Sequence, residues 1–218
     1  MKLVPRICFF LVLTVWSGQA ADESIDRLIK KLPAPQKFVD PAANDPLAKQ
    51  IDPAIKAHNY GVALDLARRL AKRYPKSLNA QMVHGLLAIS VRQFREASDA
   101  YNAAISIRPD LAAGYIGLGV TNIVQNKFSD AFSNFQRVTR IAPEADIGWI
   151  GLSLCAERMG RKGDSLEFAR RATVVAPSSV GAWLQAAREE GLAGNAQVAK
   201  ADLARAKELS RRNSRAKR

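Results

Sequence analysis

Four prolines stand 34 residues apart, at Pro75, Pro109, Pro143 and Pro177. Twelve positions before them stand the small residues Ala63, Ala97, Ala131 and Ser165, and Ala199 continues that series. Tyr60, Phe94 and Phe128 keep the same interval, as do Tyr115, Trp149 and Trp183, and Gly85 with Gly119. Eight positions before two of the prolines stand the rings Tyr101 and Phe135. Several residue classes held at one interval mean that a single structural unit is built repeatedly and stacked.

The unit reads as two helices. In 112–145, AAGYIGLGVTNIVQ is one helix and SDAFSNFQRVTRIA the second, with Asn126 and Lys127 turning the chain between them. Ser129 and Asp130 are expected to supply oxygen acceptors at the start of the second helix. Pro143 cannot continue a helix and closes the unit. Ala131 permits close helix approach, and Phe135, four residues on, fills space on the same face. In 44–77, Pro53 is expected to interrupt the first helix.

These residues resemble the tetratricopeptide repeat (TPR), whose pattern is W-x2-L-G-x2-Y, then A-x3-F, then P, over 34 residues. Residues 112–145 carry Tyr115, Leu118, Gly119, Ala131, Phe135 and Pro143, and 78–111 carry Gly85, Ala97, Tyr101, Ala104 and Pro109. Residues 146–179 keep Trp149, Leu152, Ala172 and Pro177, with Ser153 for the glycine and Ala169 for the ring. Residues 180–213 keep Trp183, Ala199 and Ala206, with Arg211 for the proline, and 44–77 read as a degenerate capping unit with Ala63 and Pro75. The resemblance implies an all-α fold, a right-handed superhelical solenoid of about four to five helix-turn-helix repeats. It also implies that the first helix of each repeat lines a concave face. It says nearly nothing about function.

Residues 1–20 read as an exported leader. Lys2 and Arg6 precede the apolar run Ile7–Trp16, and Gly18 and Ala20 supply small residues for cleavage after Ala20. The expected location is therefore a bacterial periplasm or the exterior, with an uncleaved inner-membrane anchor as the alternative. Residues 21–46 follow: Ile25, Leu28, Ile29 and Leu32 form a helical stripe, and four prolines from Pro33 to Pro46 predict a stiff extended linker.

On the first helices, the fifth, ninth and twelfth places of each repeat share a face. They read Met82, Leu86 and Ile89; Ile116, Val120 and Ile123; Ile150, Leu154 and Glu157; then Leu184 and Arg188. The neighbouring face is committed to packing within the repeat, so these helices are apolar on nearly every side and must be covered. The cover is a partner's apolar peptide or helix, the chain's own 22–46 segment, or a second copy in a homodimer; alternatively, tight curvature buries the face within the array. The expected partner-binding groove is Met82, Leu86, Ile89, Ile116, Val120, Ile123, Ile150 and Leu154. TPR co-chaperones that grip acidic tails carry Lys, Arg and Asn at such places, so the resemblance does not extend to a carboxylate clamp. Gly117 and Gly151 are expected to serve close packing between adjacent repeats.

The chain holds 33 basic and 20 acidic residues, and the net charge is +13. Much of that excess lies at the end, where 211–218, RRNSRAKR, carries Arg211, Arg212, Arg215, Lys217 and Arg218 without an acid. This basic tail either solvates the end of the stack or meets an anionic envelope surface. Nucleic acid is not an expected partner, because no aromatic residues interleave the basic ones.

Catalysis finds no support. His58 and His84 fall in different repeats, and no G-x-S-x-G, H-E-x-x-H or phosphate-cradling glycine loop occurs. Cys155, beside Leu152 and Leu154, reads as a buried inert thiol. No cofactor, metal or catalytic residue is expected. The reading is a non-enzymatic interaction module serving assembly or scaffolding in the cell envelope; the alternative is an envelope-associated structural protein working through its basic tail.

Overall fold

The structure, a computed structural model, describes residues 40–215. The expected leader 1–20, residues 21–39, and Lys217 and Arg218 lie outside the described residues. The regular structure of the described residues is entirely helical. The chain divides into two compact units, the first ending at Gln125 and the second starting at Asn126.

The described part of the first unit opens with a 3-10 turn, Pro41–Asn44. Then come α1 (Pro46–Lys56), α2 (Tyr60–Arg73), α3 (Leu78–Ser90), α4 (Phe94–Ile107) and α5 (Ala112–Val124). The expected extended linker is thus a tight turn at its C-terminal end. Asp40 caps it, accepting from Ala42 N at 2.9 Å, and its other oxygen accepts from Ser77 Oγ at 2.6 Å at the start of α3. Asp45 caps α1 in the same way and also accepts from Arg73 and Tyr74 Oη of α2. Pro53 does not interrupt α1, which runs through it, and the Pro53 carbonyl accepts from Ala57 N at 3.0 Å.

The second unit holds α6 (Phe128–Ile141), α7 (Asp146–Arg158), α8 (Lys162–Val175), α9 (Val180–Leu192) and α10 (Ala196–Arg215). The expected cap from Ser129 and Asp130 does not form. Helix α6 begins one residue earlier, after Lys127, without a side-chain cap. Asp130 instead sits in the first turn, where its charge favours the positive end of the helix dipole.

Two local devices recur in both units. A residue in left-handed backbone follows the first helix of every pair: His58, Arg92, Asn126, Gly160 and Gly194, again 34 apart. It lets its own amide and the next turn back onto the helix end, as when Gly160 N donates to Glu157 O at 2.9 Å and Arg161 N to Ala156 O at 2.8 Å. The second helices end before the prolines, and three of the proline carbonyls accept side-chain hydrogen bonds. Trp149 Nε1 donates to Pro143 O at 2.9 Å, Trp183 Nε1 to Pro177 O at 2.8 Å, and Gln81 Nε2 to Pro75 O at 3.2 Å.

Rings set the helix spacing. Tyr101 of α4 is fully buried against α3 and α5: a Cβ at Gly85 would lie 2.9 Å from its ring and one at Gly117 only 2.4 Å. Phe135 of α6 meets α7 in the same register, and a Cβ at Gly151 would fall 2.3 Å from it. Gly117 and Gly151 therefore serve helix packing.

Candidate functional site

The first helices α3, α5, α7 and α9 carry the expected groove positions. Met82 and Leu86 of α3 are half-buried. The other six are in the core: Ile89 is 5% exposed, Ile116, Ile123 and Ile150 2% each, and Val120 and Leu154 0%. They do not form an open trough. The physical reason is the one their sequence carries, since a helix apolar all round packs all round. In α7, every residue from Ile147 through Ala156 is buried except Trp149, which is half-buried.

What remains accessible at these places of the first helices is mixed in polarity. Met82 and Leu86 supply it in the first unit. In the second, Leu184 is half-buried, and Arg188 grips Glu157 of α7 through both carboxylate oxygens. The Arg188 and Glu157 side chains are 31% and 19% exposed.

Beside that pair lies a polar cluster that the sequence reading passed over. Ser165 Oγ of α8 donates to Ser153 O of α7 at 2.9 Å. Gln185 Nε2 of α9 donates to Ser153 Oγ at 3.0 Å and to Glu189 Oε1 at 2.9 Å. All four side chains are buried, and burial pushes the Glu189 carboxyl above its ordinary value. The signal was present as the two departures from the repeat pattern, Ser153 for glycine and Ser165 for alanine. Nothing in a single sequence pairs them with Gln185.

The first unit handles charge differently. Arg68 of α2 donates to both oxygens of Glu96 of α4, at 2.7 and 2.9 Å, and His84 Nε2 of α3 lies 2.6 Å from Glu96 Oε1. The Arg68 hydrogen bonds hold the Glu96 carboxyl down at about 2, with His84 adding to the effect.

No catalytic grouping comes together among these residues. His84 is committed to Glu96, and exposed His58 lies 2.9 Å from Tyr60 Oη. Cys155 is fully buried and its thiol is pushed up to about 12 by desolvation, so no thiolate forms near neutral pH. Among the described residues no group of three metal-ligating side chains converges. Of the expected basic tail, Arg211, Arg212 and Arg215 lie exposed on the last turns of α10.

Comparison with solved structures places this architecture. MamA from Desulfovibrio magneticus RS-1 aligns at TM-score 0.63 and 13% identity, over 76% of this chain and 93% of that one. YrrB, described as a TPR protein with an unusual peptide-binding site, aligns at 0.55 and 15%, over 78% and 87%. PilW, described as a type IV pilus biogenesis factor, aligns at 0.64 and 18%, over 76% of each. No protein-family model matches the chain, and no curated protein matches its sequence. The fold is the all-α TPR fold of stacked helical pairs.

Proposed function

We propose that this protein is a non-enzymatic interaction module that binds polypeptide through the accessible side chains of its first helices. One observation carries the reading: within each unit, taken by itself, the first helices keep accessible side chains beside a floor that is already packed. Met82 and Leu86 offer apolar contact in the first unit. Leu184 and the half-exposed Arg188–Glu157 pair offer apolar and charged contact in the second. Ile89, Ile116, Val120, Ile123, Ile150 and Leu154 form the floor that holds these helices in place, and they do not touch the guest. The peptide-binding site ascribed to YrrB and the assembly role ascribed to PilW make such use of the fold reasonable. The leader at 1–20 supports work at the cell envelope, as an assembly or scaffold factor.

The test is site-specific photo-crosslinking in the native host. A photoreactive residue at 82 or 86 of the first unit, or at 184 of the second, is expected to trap a polypeptide partner, identified by mass spectrometry. The same residue at exposed Glu144, between α6 and α7, is expected to trap none. Products identical at all four positions, or a band at twice the mass of this chain alone, would refute capture of a foreign polypeptide. N-terminal sequencing of the mature protein checks the leader: the first residue is expected to be Ala21.

A further inference from the structure

The last helix is built unlike the other second helices. Helices α2, α4, α6 and α8 each have 14 residues, whereas α10 has 20. It buries Ala199, Asp202, Ala206 and Leu209 as one stripe. On the opposite side, Lys200, Lys207 and Arg211 are exposed at spacings of seven and four, with Ala204 between them and Arg215 four further on. At about 1.5 Å per residue that row is about 22 Å long. Leu203, 42% exposed, flanks it.

The charge on this face is uncompensated. Helix α10 has two acids, and both are spoken for: Asp202 turns inward, 2.8 Å from Arg170 of α8, and Glu208 takes Arg205 at 2.7 Å. Among the described residues no carboxylate pairs with Lys200, Lys207, Arg211, Arg212 or Arg215. Helix capping does not require this arrangement. A polar outer face would solubilise a terminal helix equally well with mixed charges.

We propose that the outward face of α10 docks the protein on an anionic phospholipid surface. A straight row of lysine and arginine on a protruding helix has no concavity to grip a peptide, and α10 has no aromatic side chain to stack on a base. A bilayer surface is flat and laterally mobile, so it meets such a row without shape complementarity. The alkyl stems and Leu203 rest at the headgroup level while the charges reach phosphate. The contact is peripheral: among the described residues no helix is long and apolar enough to cross a membrane.

The experiment is vesicle co-sedimentation of the full chain, using phosphatidylcholine alone and phosphatidylcholine with a third phosphatidylglycerol. Anionic vesicles are expected to bind about tenfold or more tightly than neutral ones, and the preference should vanish in concentrated salt. Reversing the row with K200E/K207E/R211E is expected to abolish the preference while helical circular dichroism is unchanged, since all three side chains are exposed. The control K72E/K76E/K127E makes the same charge change at exposed sites off α10 and is expected to keep it. Whatever the leader contributes is common to all three proteins and to both vesicle types. Absence of the preference in the unaltered chain, its survival in the α10 variant, or equal losses in variant and control would overturn the proposal. So would tighter binding to duplex DNA or to polyglutamate at the same ionic strength.

Discussion

Two helix seams, one in each unit, solve one packing problem with opposite chemistry. Between α3, α4 and α5 a ring does the work: Tyr101 lies against two positions, Gly85 and Gly117, where a side chain would collide with it. Between α7, α8 and α9 the ring position is Ala169, and the space is organised by Ser153, Ser165, Gln185 and Glu189. The residue facing the ring follows suit. Where the preceding repeat supplies Tyr101 or Phe135, the sixth place is Gly117 or Gly151; where it supplies Ala169, that place is Gln185. At the α7–α8–α9 seam the space is filled with buried polar atoms that must all be satisfied.

The ring seam should therefore be costly to break and strongly coupled. Tyr101→Ala is expected to lose about 3–5 kcal/mol in urea unfolding, the usual range for an emptied aromatic site. Gly117→Ala alone is expected to lose about 1–3 kcal/mol by overpacking. Because the two act in one space, the double variant should lose at least about 1 kcal/mol less than the sum. Additive losses would show that ring and glycine do not define the seam together.

The all-α repeat of helical pairs and this seam were legible in the sequence; the finer contacts were not, for physical reasons. Tyr101, Phe135, Gly117 and Gly151 recur at the repeat interval, so each observation strengthened the others. The left-handed turn recurs just as faithfully, yet through His58, Arg92, Asn126, Gly160 and Gly194. The backbone repeats there while the residue type does not, so the pattern is invisible. The groove positions were legible as apolar and in need of a cover; six of the eight are covered, whereas Met82 and Leu86 stay half-buried. Periodicity reveals that Ile116 and Val120 need a cover, but exposure depends on packing, which a linear pattern does not contain. The Arg68–Glu96–His84 and Ser153–Gln185 contacts join residues of types common on any helix.

The two units also differ in how a central carboxylate responds to acid. Glu96 is held at about 2 against an ordinary 4.5, so its contribution is complete above pH 4.5 and is lost as the pH falls towards 2. Allowing for solvent around Arg68, whose side chain is 45% exposed, Glu96→Gln is expected to cost about 2 kcal/mol at neutral pH. The variant should also show a flatter acid limb in thermal unfolding from pH 2 to 7. Glu189 has the reverse sign. Its carboxyl is raised by burial, so the folded state holds the proton more tightly and stability declines as the pH rises above the unfolded value. Glu189→Gln should remove that decline and be at least as stable as the natural chain at pH 7. A parallel pH response in the two variants would contradict the assigned environments.

Within the polar seam, Gln185→Leu is expected to cost about 1–2 kcal/mol, because Ser153 and Glu189 lose a buried donor while the volume is kept. Adding Ser153→Gly and Glu189→Leu should recover part of it, since removing all partners of a buried network is less harmful than removing one. If the triple variant were the least stable, the cluster would be contributing more than mutual satisfaction.

The smallest effects belong to the turn that both units share, and they separate strain from its compensation. Gly160 adopts φ +77 and has open space around it, so Gly160→Ala adds no clash and isolates the backbone term. The expected loss is about 1 kcal/mol, read as a shift in urea midpoint with an unchanged slope. Arg92 holds φ +63 as a non-glycine residue, with its guanidinium 5.8 Å from the Phe94 ring centre. Arg92→Gly relieves about 1–2 kcal/mol of left-handed strain. It also gives back about 0.4–1 kcal/mol through the freer unfolded chain and about 0.5 kcal/mol through the lost ring contact. The net change should lie between a loss of about 0.5 kcal/mol and a gain of about 1 kcal/mol, from the same numbers. A gain well above about 1 kcal/mol would mean that the Phe94 contact stabilises little and that the turns built on Gly160 and Gly194 are the better formed.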